Sequence, residues 1–289
     1  MVSRERFNIL TGRFAAGGSR MGPKHRENED SFGIVEPDAP DLRSSHGNLY
    51  VVTDGVGGHQ KGEVASALAI EVIERAYFAA RGDSPIDNLV TAVNEANLRV
   101  HESATLDGGD DLSMATTVVA AAVLDDQIVV ANVGDSRAYV VGGEGIRQLS
   151  HDHSWVQDQL DSGKLTPEEA RHSPRRNIIT RALGLSNDVE TEVKTETDTN
   201  SHARLVLCTD GVHGVLEDHE LAELVEGPEL QAAVKRVLAL VDERRGRDDA
   251  TLVIVELGGE MLIEEAPPAG RSGFFPSLFR LFRRRKSSL

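Results

Sequence analysis

Cysteine is almost missing from this chain. A single thiol, Cys208, in 289 residues excludes an internal disulfide and a tetrahedral thiolate zinc site. It lies in the apolar run Leu205-Val206-Leu207-Cys208, which marks it as a small core residue. No uninterrupted apolar stretch reaches the roughly 18 residues that cross a bilayer. The N-terminus lacks the apolar segment of a secretory signal. These absences predict a cytoplasmic protein. Positive charge is also scarce over most of the chain. The net charge is −16, and removing the six basic residues of 271–289 leaves −22 on the rest. So acidic a body excludes nucleic-acid binding through its general field. The excess aids solubility; it also fits carboxylates that converge on cations, whose charge the formal count omits.

What is present alternates between strand and helix patterns. Short apolar runs rich in Val, Ile and Leu predict strands at 48–53, 116–124, 127–133, 137–141, 204–209 and 250–256. Asp125-Asp126 between two of them reads as a hairpin turn, which favours antiparallel pairing. Helical spacing of Ala65, Leu68, Ala69, Val72, Ile73 and Ala76 predicts a helix over 62–80. A second opens at Ser84-Pro85, with Ile86, Leu89, Val90, Val93, Ala96 and Val100 on its apolar face. A third covers 229–244. Hairpins flanked by amphipathic helices suggest sheets covered by helices. Two short helices are expected in 150–185, one capped by Ser154 and one by the capping box Thr166-Pro167-Glu168-Glu169.

The most informative feature occurs twice. One apolar run ends in Thr53-Asp54-Gly55-Val56 and another in Thr209-Asp210-Gly211-Val212. A third ends in Gly134-Asp135, Asp248-Asp249 precedes the last strand, and Glu29-Asp30 precedes the apolar stretch 31–35. One Asp-Gly after a strand is usually a turn. Several acidic strand ends that met in space would repel one another unless cations lay between them. Oxygen ligands without a matching His or Cys set select hard ions such as Mg2+, Mn2+ or Ca2+.

At these residues the sequence resembles the protein phosphatase 2C (PPM) family, in its bacterial form, over residues 10–256. The matching segments run in the family's order: Asn28-Glu29-Asp30-Ser31, then Asp54-Gly55-Val56-Gly57-Gly58-His59 with Gly62-Glu63-Val64-Ala65-Ser66. Met114-Ala115-Thr116-Thr117, Asn132-Val133-Gly134-Asp135-Ser136-Arg137 and Leu149-Ser150-His151-Asp152-His153-Ser154 follow. Leu207-Cys208-Thr209-Asp210-Gly211 and Asp248-Asp249-Ala250-Thr251 close the set. Single motifs are weak, but seven in order are highly specific.

The resemblance implies an α+β fold, a four-layer αββα sandwich of two antiparallel sheets flanked by helices, with a flap subdomain at about 150–185. The phosphatase domain is expected over 1–257; the Gly-, Pro- and Glu-rich composition of 258–273 marks a linker, and a basic, Phe-rich tail follows over 274–289. The resemblance also implies two or three Mn2+ or Mg2+ ions. Asp54 would bridge two of them, the Gly55 carbonyl would bind the second, and Asp210 and Asp248 would complete the first. Asp135 with Asp210 would offer a weaker third site. Glu29 and Asp30 would act through metal-bound waters. The implied reaction is hydrolysis of phosphoserine and phosphothreonine in proteins by a metal-bridged hydroxide, opposing a Ser/Thr protein kinase. The alternative is a catalytically weak module that binds phosphoproteins. A monomer is expected.

Three positions depart from the family pattern. Where many members carry a phosphate-binding Arg, this chain has His25, flanked by Lys24 and Arg26; His25 and Arg26 are expected near the substrate phosphate. Val56 follows the first Asp-Gly where eukaryotic members often have His, leaving His59 as a structural histidine or a proton donor. Asp249 stands in place of the usual Asn and adds negative charge behind the ligands. In the tail, Phe275, Leu278, Phe279 and Phe282 would share a helical face ahead of Arg283-Arg284-Arg285-Lys286. Such a segment suits an anionic membrane surface, an acidic partner or disorder.

Overall fold

The computed structural model describes residues 7–56, 61–82, 84–106, 114–197 and 203–258. The expected linker, apart from Gly258, and the whole tail lie outside these residues, as does His59. The described residues all fall within one compact unit.

The strands are β1 (Asn8–Thr11), β2 (Ala15–Arg20), β3 (Asp30–Val35), β4 (Asn48–Val56), β5 (Ala115–Thr116), β6 (Val118–Val123), β7 (Ile128–Val133), β8 (Arg137–Gly142), β9 (Gly145–Gln148), β10 (Glu192–Glu196), β11 (Arg204–Cys208) and β12 (Ala250–Glu256). The helices are α1 (Pro40–His46), α2 (Gly62–Ala79), α3 (Pro85–Leu106), α4 (Trp155–Asp161), α5 (Pro167–Arg171), α6 (Asp210–His213), α7 (Asp218–Val225) and α8 (Leu230–Glu243). One sheet runs β1-β2-β12-β11-β8-β9; the other runs β10-β7-β6-β4-β3, with β5 also on β4. All pairings among the described residues are antiparallel. Asp125 and Asp126 are exposed at the β6–β7 hairpin, where the Leu124 amide donates to the Gln127 carbonyl at 2.9 Å.

The sheets lie face to face, and helices cover both outer surfaces. On β4, Leu49 and Val51 join the core under α2 and α3. Tyr50 and Val52 are equally buried on the inner face. On the other sheet Val206, Cys208, Leu252 and Ile254 pack under α6, α7 and α8. A strand covered on both faces loses the apolar–polar alternation, which is why these runs read as continuous.

The structure corrects several expectations. The run 116–124 is two strands, interrupted at Thr117, whose hydroxyl faces Asp54. Ile86, assigned to the apolar face of its helix, is 37% exposed, while Leu89, Val93, Ala96 and Val100 are fully buried. The repeated Thr-Asp-Gly-Val also splits in two. In its first copy β4 runs on to Val56, while in its second Asp210 opens a helix.

Strand β2 carries no β-branched residue, and the sequence pattern does not announce it. Its small residues answer to space. A Cβ at Gly17 would come within 2.5 Å of the Phe32 ring, and one at Gly18 within 2.5 Å of Val234. The edge strands β1, β3, β9 and β10 are short, and β10 carries Glu192, Lys194 and Glu196, an ordinary protection of an open edge.

On α2 the Glu74 carboxylate lies over Gly33, so close that a Cβ there would meet its Oε1 at 2.3 Å. Burial first, then the charge of Glu71, raise its pKa from 4.5 to about 7. A raised carboxyl contributes stability that is complete below its unfolded pKa and is lost as pH rises through the folded one. Glu74→Gln is expected to match wild type near pH 4 and to exceed it at pH 8, by up to about 3 kcal/mol. Urea midpoints of both proteins across pH 4–9 measure the difference.

Candidate metal centre

The acidic residues meet at one end of the sandwich. Asp54 lies near the end of β4, directly across from Asp30 at the start of β3. From the other sheet, Asp210 follows β11 at the start of α6, and Asp248 precedes β12. Asp135 stands in the turn between β7 and β8. Their mutual repulsion is plain in their acidities. Burial raises the Asp54 pKa well above the carboxylate range, and Asp30, Asp210, Asp135 and Asp248 add to it in that order. Burial and then Asp210 carry Asp135 up to about 8. Burial and then Asp248 carry Asp210 to about 6, against its side-chain contact with Asp54 and the charges of Arg176 and Arg137. His213 sits beneath them: burial lowers its pKa to about 3, and Nε2 donates to the Asp135 carbonyl at 3.0 Å.

Threonines seat these carboxylates, a role the sequence reading missed. The Asp54 amide donates to Thr117 Oγ1 at 3.1 Å, and its carbonyl accepts from Thr116 Oγ1 at 2.9 Å. Thr209 Oγ1 donates to Asp30 Oδ2 at 2.9 Å, tying a residue of one sheet to the end of the other. Thr251 hands the link on, its amide donating to Thr209 Oγ1 at 3.1 Å. The only sequence signal is a Thr near an acidic strand end at 53, 209 and 251 and the pair at 116–117, and it does not say which group each hydroxyl will bond.

The residues present fit hard divalent cations. Asp30 Oδ1 and Asp210 Oδ1 are buried without a hydrogen-bond partner among the described residues, a costly state for an oxygen that water cannot reach. The backbone makes room beside them. A Cβ at Gly55 would meet Gly62 backbone at 2.4 Å, and one at Gly62 would meet Glu29 Oε2 at 2.8 Å and the Gly55 oxygen at 3.1 Å. Only glycine at both positions lets a carbonyl, a carboxylate and a helix start share that space. Among the described residues no group of three His, Cys, Asp or Glu side chains is gathered closely enough to hold a metal ion as it stands. Mg2+ and Mn2+ retain several waters, so protein oxygens need supply only part of the shell.

The basic residues divide. Arg26 is exposed on the loop between β2 and β3. His25, on the same loop, turns inward: Nδ1 lies 3.0 Å from Asp249 Oδ2 and Nε2 lies 3.6 Å from Asp248 Oδ1. Both ring nitrogens therefore face carboxylates rather than open space for a phosphate. In the flap, Ser154 and the Thr166 capping box start α4 and α5. Arg171 pairs with Glu217, Arg181 with Glu190, and Arg175 stacks on Trp155. Arg176 makes no ion pair among the described residues, and its charge reaches Asp210.

The base of the flap is bonded to both sides of the site. The His153 amide donates to the Gly134 carbonyl at 2.9 Å, and the Gly134 amide donates to His153 Nδ1 at 3.0 Å. Ile179 bridges to Ser154, and Leu183 to Thr116. Arg137 forks onto Asp152, with Nη2 to Oδ2 at 2.7 Å, fixing the strand that enters the flap.

Two stacked antiparallel sheets with acidic oxygens and a glycine cradle at one end define a scaffold that gathers hard metal ions. The chain belongs to the protein phosphatase 2C family, whose model matches residues 22–253. It is 30% identical over 239 residues to the serine/threonine phosphatase stp of Listeria monocytogenes, covering 81% of this chain and 92% of that one. Among solved structures it is similar to the serine/threonine phosphatase Stp1 of Staphylococcus aureus, with a TM-score of 0.76, 28% identity, and coverage of 87% of this chain and 98% of that one. The catalytic domain of the serine/threonine protein phosphatase PstP, in complex with two manganese ions, aligns with a TM-score of 0.72, 27% identity, and coverage of 86% and 98%.

Proposed function

We propose that this protein removes phosphate from phosphoserine and phosphothreonine in other proteins, opposing a Ser/Thr protein kinase. The observation that carries this reading is the meeting of Asp30, Asp54, Asp135, Asp210 and Asp248 from both sheets, two of them with buried oxygens left unpartnered. Asp54, Asp210 and Asp248 with the Gly55 carbonyl would hold two Mn2+ or Mg2+ ions, and Asp135 with Asp210 a weaker third. Glu29 and Asp30 would act through waters of that shell. When bound, such ions neutralise phosphoryl oxygens and make a water nucleophilic at neutral pH. The chain's own residues supply the rest. Arg26 and Arg176, which makes no ion pair among the described residues, draw the dianionic phosphate to the mouth of an otherwise acidic site, while His25 on the same loop is turned toward Asp249. Thr116 and Thr117 keep Asp54 from turning. Manganese-dependent hydrolysis of a small aryl phosphate and of a phosphothreonine peptide tests the reading. Turnover no higher than that of an Asp54→Ala control would remove it and leave a phosphoprotein-binding module.

The protein acts as a monomer in the cytoplasm under this proposal, and the tail over 274–289 gives it reversible contact with the anionic inner face of the membrane. No helix among the described residues is long and apolar enough to cross a bilayer. The support is chemical: Phe274, Phe275, Phe279 and Phe282 stand beside Arg283, Arg284, Arg285 and Lys286. Cutting after Gly258 is expected to leave aryl phosphate turnover nearly unchanged and to abolish co-sedimentation with anionic vesicles at low salt. Equal sedimentation of the cut and full chains would dispose of the membrane contact.

A further inference from the structure

Two departures from the family pattern, His25 and Asp249, prove to be one contact, at 3.0 Å. Asp249 is buried, 2% exposed. Its Oδ1 accepts the Gly22 amide at 2.6 Å, and its Oδ2 accepts the Glu29 amide at 2.6 Å as well as His25 Nδ1. One carboxylate thus bonds both ends of the loop 22–29 and a side chain from its middle. The loop has little freedom to sit elsewhere. A Cβ at Gly22 would meet the carbonyl carbon of Asp248 at 2.7 Å and the Arg247 oxygen at 2.8 Å. Its far end places the Glu29 carboxylate against Gly62, and the Glu29 carbonyl accepts the Gly55 amide at 3.1 Å.

We infer that Asp249 is a positioning residue that clamps the loop 22–29, with His25 as the third donor of the clamp, and thereby sets Glu29 beside the Gly55–Gly62 cradle. The need for a carboxylate follows from the donors. Three N–H groups approach from two sides, and each oxygen takes at least one. An asparagine at 249 has a single acceptor oxygen, and its NH2 would face either the Gly22 or the Glu29 amide, donor against donor. The buried amide so abandoned would lose its partner without gaining water. His25 completes the shell of Oδ2 and is held away from substrate by doing so. Arg26, next in the chain, is then presented outward by a fixed backbone. The inference rests on the proposed metal-dependent site for its effect on activity, but not for the clamp itself.

The test separates the two. In the full chain, scalar couplings across the hydrogen bonds from the Gly22 and Glu29 amide nitrogens to the Asp249 carboxyl carbon are expected in wild type, with no metal added. Absence of both couplings overturns the clamp, whatever any variant does. In Asp249→Asn, hydrogen exchange of at least one of these two amides is expected to quicken by tenfold or more, while the Leu252 and Val253 amides of β12 keep their rates. The manganese concentration for half-maximal binding, measured by calorimetry, is expected to rise severalfold. In His25→Ala, which spares both backbone bonds, exchange at Gly22 and Glu29 is expected to stay within about threefold of wild type. Unchanged exchange in Asp249→Asn also overturns the clamp. Couplings present in a wild type that hydrolyses no phosphate ester would keep the clamp and remove the enzymatic reading.

Discussion

Asp54→Asn is expected to abolish manganese-dependent turnover and, in the same protein, to raise the melting temperature measured in chelator. The first effect follows from removing the carboxylate proposed to bridge two ions. The second follows from the charges around it. Asp30, Asp210, Asp135 and Asp248 all push the Asp54 pKa upward after burial has done so. At neutral pH the metal-free site must either crowd like charges together or take up protons to avoid doing so, and a neutral amide of the same shape removes part of that cost. Asp210→Asn and Asp248→Asn are expected to silence the enzyme in the same way, and Asp135→Ala to lower turnover without abolishing it. Retention of more than a tenth of wild-type activity by any of the first three, a loss below about 1.4 kcal/mol, removes that residue from the ligand set. Calorimetric scans with chelator and with Mn2+ check the stability half: saturating metal should raise the wild-type melting temperature and leave that of Asp54→Asn nearly unmoved.

Gly211→Ala is expected to have the largest effect on folding of any single methyl added to this site. The new Cβ would stand 1.7 Å from the Asp249 carbonyl oxygen and 2.8 Å from its carbon. Both are main-chain atoms, so no side-chain rotation relieves the overlap. Either α6 or the start of β12 must move. The two meet where Asp210, Asp248 and Asp249 are held, so the displacement costs stability and geometry together. A loss of about 4 kcal/mol or more is expected, equivalent to a fall in melting temperature of roughly 10 °C or more in a chain this size. Thermal unfolding measures it, and a shift under about 3 °C would show that this junction yields more easily than its packing indicates.

The same glycine marks where sequence reasoning stopped short. Thr53-Asp54-Gly55-Val56 and Thr209-Asp210-Gly211-Val212 are identical strings, and reading both as strand ends put both aspartates in the right region. The first glycine instead stays in a ladder opposite Thr116, while the second starts a helix beneath Asp249. Four residues cannot carry that difference, because it is decided by partners far along the chain. Central strands were legible because burial on both faces fills them with Val, Leu and Ile. Strand β2 was not, because Phe32 presses on Gly17 and Val234 on Gly18, leaving no room there for a larger side chain. The acidic cluster was legible as a set of residue types at strand ends. The threonines that aim it were hidden, since a hydroxyl beside a carboxylate in sequence says nothing about which backbone it will bond. Nor does the sequence around His25 announce its contact with Asp249, a partner 224 positions along the chain.

The flap joins the sandwich through a ring of main-chain bonds at its base, yet α4 buries no residue and α5 buries only Ala170. Most substitutions on the faces of those helices therefore cost the fold little. Selection can then reshape the surface of the flap while the carboxylates behind it stay where they are. Among descendants of this chain, sequence is expected to drift first in the flap, and last at the carboxylates.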